Sequence, residues 1–214
     1  MSNLDFDRAA ALADMCRLLT ACYYEPGPEF AEEKIFDSLV EAAGRIDPLL
    51  VTHALQLKTA FESESHDNLL VDYSRLFLGP GGILALPYES AWLEKDSNSS
   101  IDATQVLLEL FEDGGFEMDT EFKDLPDHLA VELEFLYTLL FRIAAAIQTG
   151  DQRAMDSALA LRWSLLEQHL GRWIEDFQKA VHAGAGCRFY RELVDLTVLF
   201  VSLVRNDQTA GPSC

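Results

Sequence analysis

With 214 residues, 49% of them hydrophobic and 24% charged, the chain has the composition of a soluble globular protein and a length that one domain accommodates. That composition excludes disordered, collagen-like and low-complexity classes, and burying about 70% of the unfolded surface supplies a sizeable core without disulfides or structural metal. Lys and Arg number 16 against 36 Asp and Glu, and the resulting net charge of -20 opposes nucleic acid and anionic membrane surfaces and favours a basic partner.

Apolar spacing is helical almost everywhere, and alternating Val, Ile and Thr runs are absent, so the sequence predicts an all-α bundle of about eight to ten helices. The first helix covers about Asp5 to Tyr24, with Leu12, Met15, Leu19 and Cys22 on one face, and Glu25-Pro26-Gly27-Pro28 ends it. A second carries Phe36, Leu39, Val40 and Ala43. Asp47-Pro48 reads as an N-cap followed by Pro at the first helical position, opening a third helix that reaches about Phe61. A short helix from about Asn68 to Phe77 stops at Gly79-Pro80-Gly81-Gly82. The loop that follows, Ile83 to Ser90, is unusually apolar. A second loop, Lys95 to Ser100, precedes a helix from about Asp102 to Asp113 that Gly114-Gly115 terminates. A long helix begins near Pro126 and runs to about Gln148, burying Leu129, Leu133, Leu136, Leu140 and Ile143. Three more span about Arg153 to His169, Arg172 to His182 and Phe189 to Arg205. The expected organisation is one domain, residues 1–206, followed by a flexible tail, 207–214.

The start, Met1 to Arg8, lacks the basic and apolar segments of a secretory signal, and Leu193 to Val204 is too short to span a bilayer, so a cytoplasmic chain without stable membrane insertion is expected. Cys16, Cys22, Cys187 and Cys214 form no Cys-x-x-Cys pair and read as buried or idle thiols. The charge is concentrated. Residues 1 to 150 carry net -19 and residues 151 to 214 only -1, while Glu89 to Glu134 holds 14 acids against Lys95 and Lys123.

Catalytic motifs are missing. The chain has no phosphate-cradling loop, no Gly-x-Ser-x-Gly, no His-Glu-x-x-His and no Glu-x-x-His of the kind a carboxylate-bridged metal pair requires. Gly79 to Gly82 reads as a helix stop. His128 and Glu132 share a helical face but supply too few ligands for a metal site. The expectation is a protein with no enzyme activity, no metal and no cofactor. Asp127-His128 stands out, because these polar residues enter the long helix where free N–H groups and the positive end of the dipole stabilise an anion.

The ordered set Tyr73-Ser-Arg-Leu76-Phe77-Leu-Gly79-Pro80, Pro87-Tyr88-Glu89-Ser90 and Pro126-Asp127-His128-Leu129 with Glu132-Leu133-Glu134-Phe135-Leu136 resembles the TorD/DmsD/NarJ family of redox-enzyme maturation chaperones. The likeness continues through Trp173, Phe177 and Phe189-Tyr190. One departure is visible: Leu125 stands where the family has Pro between its acid, here Asp124, and the position of Pro126. The resemblance implies an all-helical, non-enzymatic chaperone. Its partners would be the N-terminal leader, often a twin-arginine signal peptide, and the apo catalytic subunit of a molybdenum-containing oxidoreductase. By the same resemblance, Tyr73, Leu76 and Phe77 form an aromatic and aliphatic wall, Pro87 and Tyr88 a hydrophobic loop, and Asp127 and His128 the polar end of the leader site, with Glu89 and Ser90 beside them. Carboxylates such as Asp127 and Glu89 suit the guanidinium groups of such a leader. The rival reading is an acidic helical interaction module with no leader groove. Neither the oligomeric state, monomer or homo-oligomer, nor the particular reductase follows from these residues.

Overall fold

Helical periodicity in the sequence becomes helix in space: a computed structural model describes residues 3–79, 82–93, 103–117 and 125–207, and its elements are eleven α-helices and one π-helical turn. The expected loop from Lys95 to Ser100, the acid Asp124 and the expected tail beyond Asp207 lie outside those residues. Helix α1 (Asn3–Ala21) is followed by a single turn, α2 (Glu29–Glu32), that the sequence did not announce. Then come α3 (Ile35–Gly44) and α4 (Pro48–Ser63). The start of α4 is as expected, with the Leu49 N–H donating to the Asp47 carboxylate and Pro48 at the first helical position.

Helix α5 (His66–Tyr73) runs directly into the π-helical turn (Ser74–Leu78), where the Gly79 N–H donates to the Ser74 carbonyl at 2.8 Å. Such a turn carries one extra residue and re-aims the side chains beyond it. Gly79 ends it in the left-handed conformation, φ 57°, and a Cβ there would sit 2.5 Å from the Ile83 backbone nitrogen. Both facts require glycine. The remaining helices are α6 (Ser90–Leu93), α7 (Ala103–Asp113), α8 (Leu129–Thr149), α9 (Gln152–Gln168), α10 (Leu170–Gly184) and α11 (Arg188–Asn206).

Helix α8 is the axis of the packing, lying against α1 along much of its length and against α9; α3 packs on α4, α4 on α11, and α10 on both α9 and α11. The apolar face read from α1, Leu12, Met15, Leu19 and Cys22, is buried, as are Leu129, Leu133, Leu136, Leu140 and Ile143 of α8. Each fully buried Leu or Phe contributes about 1.5–3 kcal/mol relative to exposure. Cys16, Cys22 and Cys187 are buried free thiols, and burial pushes Cys22 and Cys187 up to about 12, so they stay protonated and unreactive.

One buried charge ties distant elements together. Asp72 on α5 accepts N–H groups from Gly186 and Cys187 and a guanidinium N–H from Arg75, which also donates to the Gly184 carbonyl. Burial pushes the Asp72 carboxyl up, but the Cys187 and Gly186 N–H groups and the Arg75 guanidinium outweigh it and hold the carboxyl below its usual range. The turn between α10 and α11 is thereby fixed against α5.

Candidate functional site

Two segments far apart in sequence meet at the head of α8. Tyr88 and His128 form an isolated antiparallel bridge, the Glu89 N–H donates to the Asp127 carbonyl at 3.0 Å, and the Leu129 N–H donates to the Pro87 carbonyl at 2.8 Å. The physical reason lies in the helix start. The first N–H groups of α8 have no intrahelical acceptor. Pro87 satisfies Leu129, and its own missing N–H is harmless at that position. His128 satisfies Ala130 by accepting at Nδ1, 3.1 Å away, a bond that requires the lone pair on that nitrogen. The Tyr88 ring meets the His128 imidazole edge-on, with centroids 5.2 Å apart.

Asp127 behaves differently from the sequence expectation. The helix starts at Leu129 with His128 as its N-cap, so Asp127 lies outside the first turn; its Oδ2 instead accepts the Ser90 N–H at 3.0 Å, at the start of α6. Its exposure is 1%, and Glu89 is equally buried, with His169 Nδ1 lying 3.1 and 3.0 Å from the two Glu89 carboxylate oxygens. Neither carboxylate is open to a guanidinium from solvent while Pro87–Ser90 is bridged to Asp127–Leu129.

Beneath them lies Glu132, fully buried, whose Oε1 accepts the Trp173 indole N–H at 3.0 Å. Burial pushes its carboxyl well above the usual range; the charge of Glu89 adds to the shift, the Trp173 bond opposes it, and Asp127 adds again. Among the described residues, Asp127 Oδ1, Glu132 Oε2 and His169 Nε2 are buried without a hydrogen-bond partner. No group of three or more His, Cys, Asp or Glu among the described residues is arranged to hold a metal ion. Sequence reasoning missed His169 altogether, and it used Glu132 as a motif position and as a neighbour of His128 without its partners Trp173 and Glu89. Their 80- and 41-residue separations from Glu89 and Trp173 carry no periodic signal.

The aromatic wall is also placed differently. Tyr73, Leu76 and Phe77 are core residues, none more than 9% exposed: Phe77 packs on Tyr73, Phe177 and Tyr190, and the Leu76 carbonyl accepts the Ala85 N–H at 3.0 Å. Leu76 and Phe77 lie in the π-helical turn and point inward beside Tyr73 at the end of α5, where the three support the apolar loop from below. The loop itself is open, with Ile83 38%, Leu84 46% and Leu86 37% exposed and Leu78 beside them at 58%. Pro87 is buried, whereas Tyr88 and Ser90 are half-buried. Structure therefore joins Pro87, Tyr88, Glu89, Ser90, Asp127 and His128 into one unit, and sets Tyr73, Leu76 and Phe77 beneath its neighbouring loop.

The chain is similar to several known proteins. The chaperone protein TorD of Vibrio parahaemolyticus is 25% identical over 167 residues, covering 78% of this chain and 70% of that protein. TorD of Photobacterium profundum is 29% identical, covering 63% and 61%. The Tat proofreading chaperone DmsD of Salmonella paratyphi A is 27% identical, covering 65% and 61%. A solved structure from Archaeoglobus fulgidus, described as a candidate redox enzyme maturation protein, superposes with a TM-score of 0.52 at 17% identity, covering 89% of this chain and 93% of the other, and shares the all-helical fold. The model of the nitrate reductase delta subunit family matches residues 44–179, more than half of the chain and the whole stretch that builds the bridged unit. The chain belongs to that family, the TorD/DmsD/NarJ type of maturation chaperones, which are not enzymes.

Proposed function

We propose that the protein is a cytoplasmic chaperone that binds the N-terminal leader, of twin-arginine type, and the apo catalytic subunit of a molybdenum-cofactor oxidoreductase. It assists cofactor insertion, assembly and export proofreading. The observation that carries the reading is the exposed apolar run Leu78, Ile83, Leu84 and Leu86, held on a rigid base by the bridge between Pro87–Ser90 and Asp127–Leu129. A leader has a basic start and an apolar stretch, and the apolar stretch matches this loop. The basic start matches the field of Glu109, Glu112, Asp113 and Glu117, exposed on and just after α7, which packs on α6. Asp127 and Glu89 would meet leader guanidinium groups directly only after the bridged segments separate.

No helix among the described residues is long and apolar enough to cross a membrane. Calorimetric titration of a twin-arginine leader peptide, against the same peptide with both Arg changed to Ala, tests the reading. Saturable binding is expected, weaker for the Ala peptide, and at least about tenfold weaker, or 1.4 kcal/mol, in the Leu84→Asp, Leu86→Asp double variant. Both positions are exposed, so that variant should keep its fold. Absence of heat with the leader, together with failure to bind the client apo-enzyme, would sink the proposal.

A further inference from the structure

We infer that a second groove, on the side of α8 away from the buried carboxylates, docks a short basic amphipathic helix of a partner protein. Glu132 and Glu134 are two residues apart and so point about 200° apart around α8. Glu132 enters the cluster with Trp173, and Glu134 lines a cleft of about 460 Å³ between α1, α2 and α8. One wall is Arg17, Thr20 and Ala21 of α1 with Tyr24 just beyond its end; the facing wall is Glu134, Tyr137 and Thr138 of α8, and Phe30 and Ile35 close the floor. Both helical walls follow i, i+3, i+4 spacing and run side by side for about one turn, roughly 6 Å, the shape that accepts a helix face. Phe141, 58% exposed and 6.2 Å from the Tyr137 ring, carries the α8 wall one turn further.

Charge identifies the occupant. Glu29, Glu33 and Glu134 line the groove against the single cation Arg17, so the partner must bring Lys or Arg beside its aliphatic face. A second copy of a chain with net charge -20 is disfavoured by like-charge repulsion. The Tyr24 hydroxyl donates to Glu134 Oε1 at 2.5 Å, which fixes that carboxylate on the wall before any partner arrives. This groove shares no residue with the leader surface and does not depend on it.

The probe is an acetylated, amidated helical peptide of about fourteen residues, four turns, with a Leu face flanked by Arg, titrated into isotopically labelled protein and followed by amide NMR shifts. Shifts centred on Thr20, Tyr24, Glu134 and Tyr137 are expected. The dissociation constant should rise at least tenfold in Glu29→Lys, Glu33→Lys and separately in Phe141→Asp, and stay unchanged in Glu41→Lys, an exposed acid on α3. Should the Lys pair perturb folding, seen by circular dichroism, Phe141→Asp alone decides. Any of four results overturns the inference: no saturable binding at millimolar peptide; shifts centred on Leu84 to Leu86; equal binding of a peptide with Glu in place of Arg; or self-association by sedimentation that Phe141→Asp abolishes. Leader titration reads Leu84 and Leu86 instead, so the two readings fail independently.

Discussion

Glu132 shows how one side chain registers its neighbours. Its carboxyl is buried and faces the charges of Glu89 and Asp127, so in the folded protein it holds its proton well above the ordinary value of 4.5. The folded state then binds more protons than the unfolded chain over the window that opens at pH 4.5. Stability contributed by Glu132 is therefore fully present below that pH and is lost as pH rises toward the folded value. Glu132→Gln keeps an oxygen for the Trp173 N–H while removing the ionisation. It should be more stable than the parent at pH 8, with the difference shrinking toward pH 4, measured by urea unfolding. A variant less stable at both pH values would contradict this account. Asp127 and His128 were legible in the sequence as a polar pair before a long apolar helix. How they meet Pro87–Ser90 was not, because the bonds from the Ser90 N–H to the Asp127 carboxylate, from the Glu89 N–H to the Asp127 carbonyl and from the Leu129 N–H to the Pro87 carbonyl leave no mark in composition or spacing.

Among elements, the turn from α5 into the apolar loop has the most consequence. Sequence reading found a short helix ending at Gly79, and the structure agrees on the end while inserting a π-helical turn after Tyr73 in which Leu76 and Phe77 are sunk into the core. Gly79→Ala places a Cβ against the Ile83 backbone in a left-handed conformation, costing about 1–2 kcal/mol before any shift of the loop. Melting should fall by about 2–4 °C per kcal/mol, and leader affinity should fall with it because Ile83 and Leu84 move. Unchanged melting and affinity would show that the loop is not held by this turn. Helix boundaries elsewhere were read to within a few residues, since capping by Asp47 and termination by Gly150 are local events. The single turns α2 and α6 were missed: four residues carry too little periodicity to be seen.

For the whole molecule, the net charge of -20 acts at a distance, while the apolar loop acts only on contact. Raising ionic strength from about 0.05 to 0.5 M should slow leader association by roughly tenfold and leave dissociation within about twofold, followed by stopped-flow fluorescence. A module held by charge alone would instead lose nearly all its affinity. The same balance separates what sequence determined from what folding decided. Periodicity fixes which side chains leave water, so the all-helical class, the buried faces of α1 and α8 and the apolar loop could all be read from the chain. Motif order added the family. Depth could not be read: whether Glu89, Asp127, Tyr73 and Phe77 face solvent or core depends on bridges and packing between segments 37 to 121 residues apart in the chain. Local spacing encodes a residue's face on its own helix, and only the assembled bundle sets what covers that face.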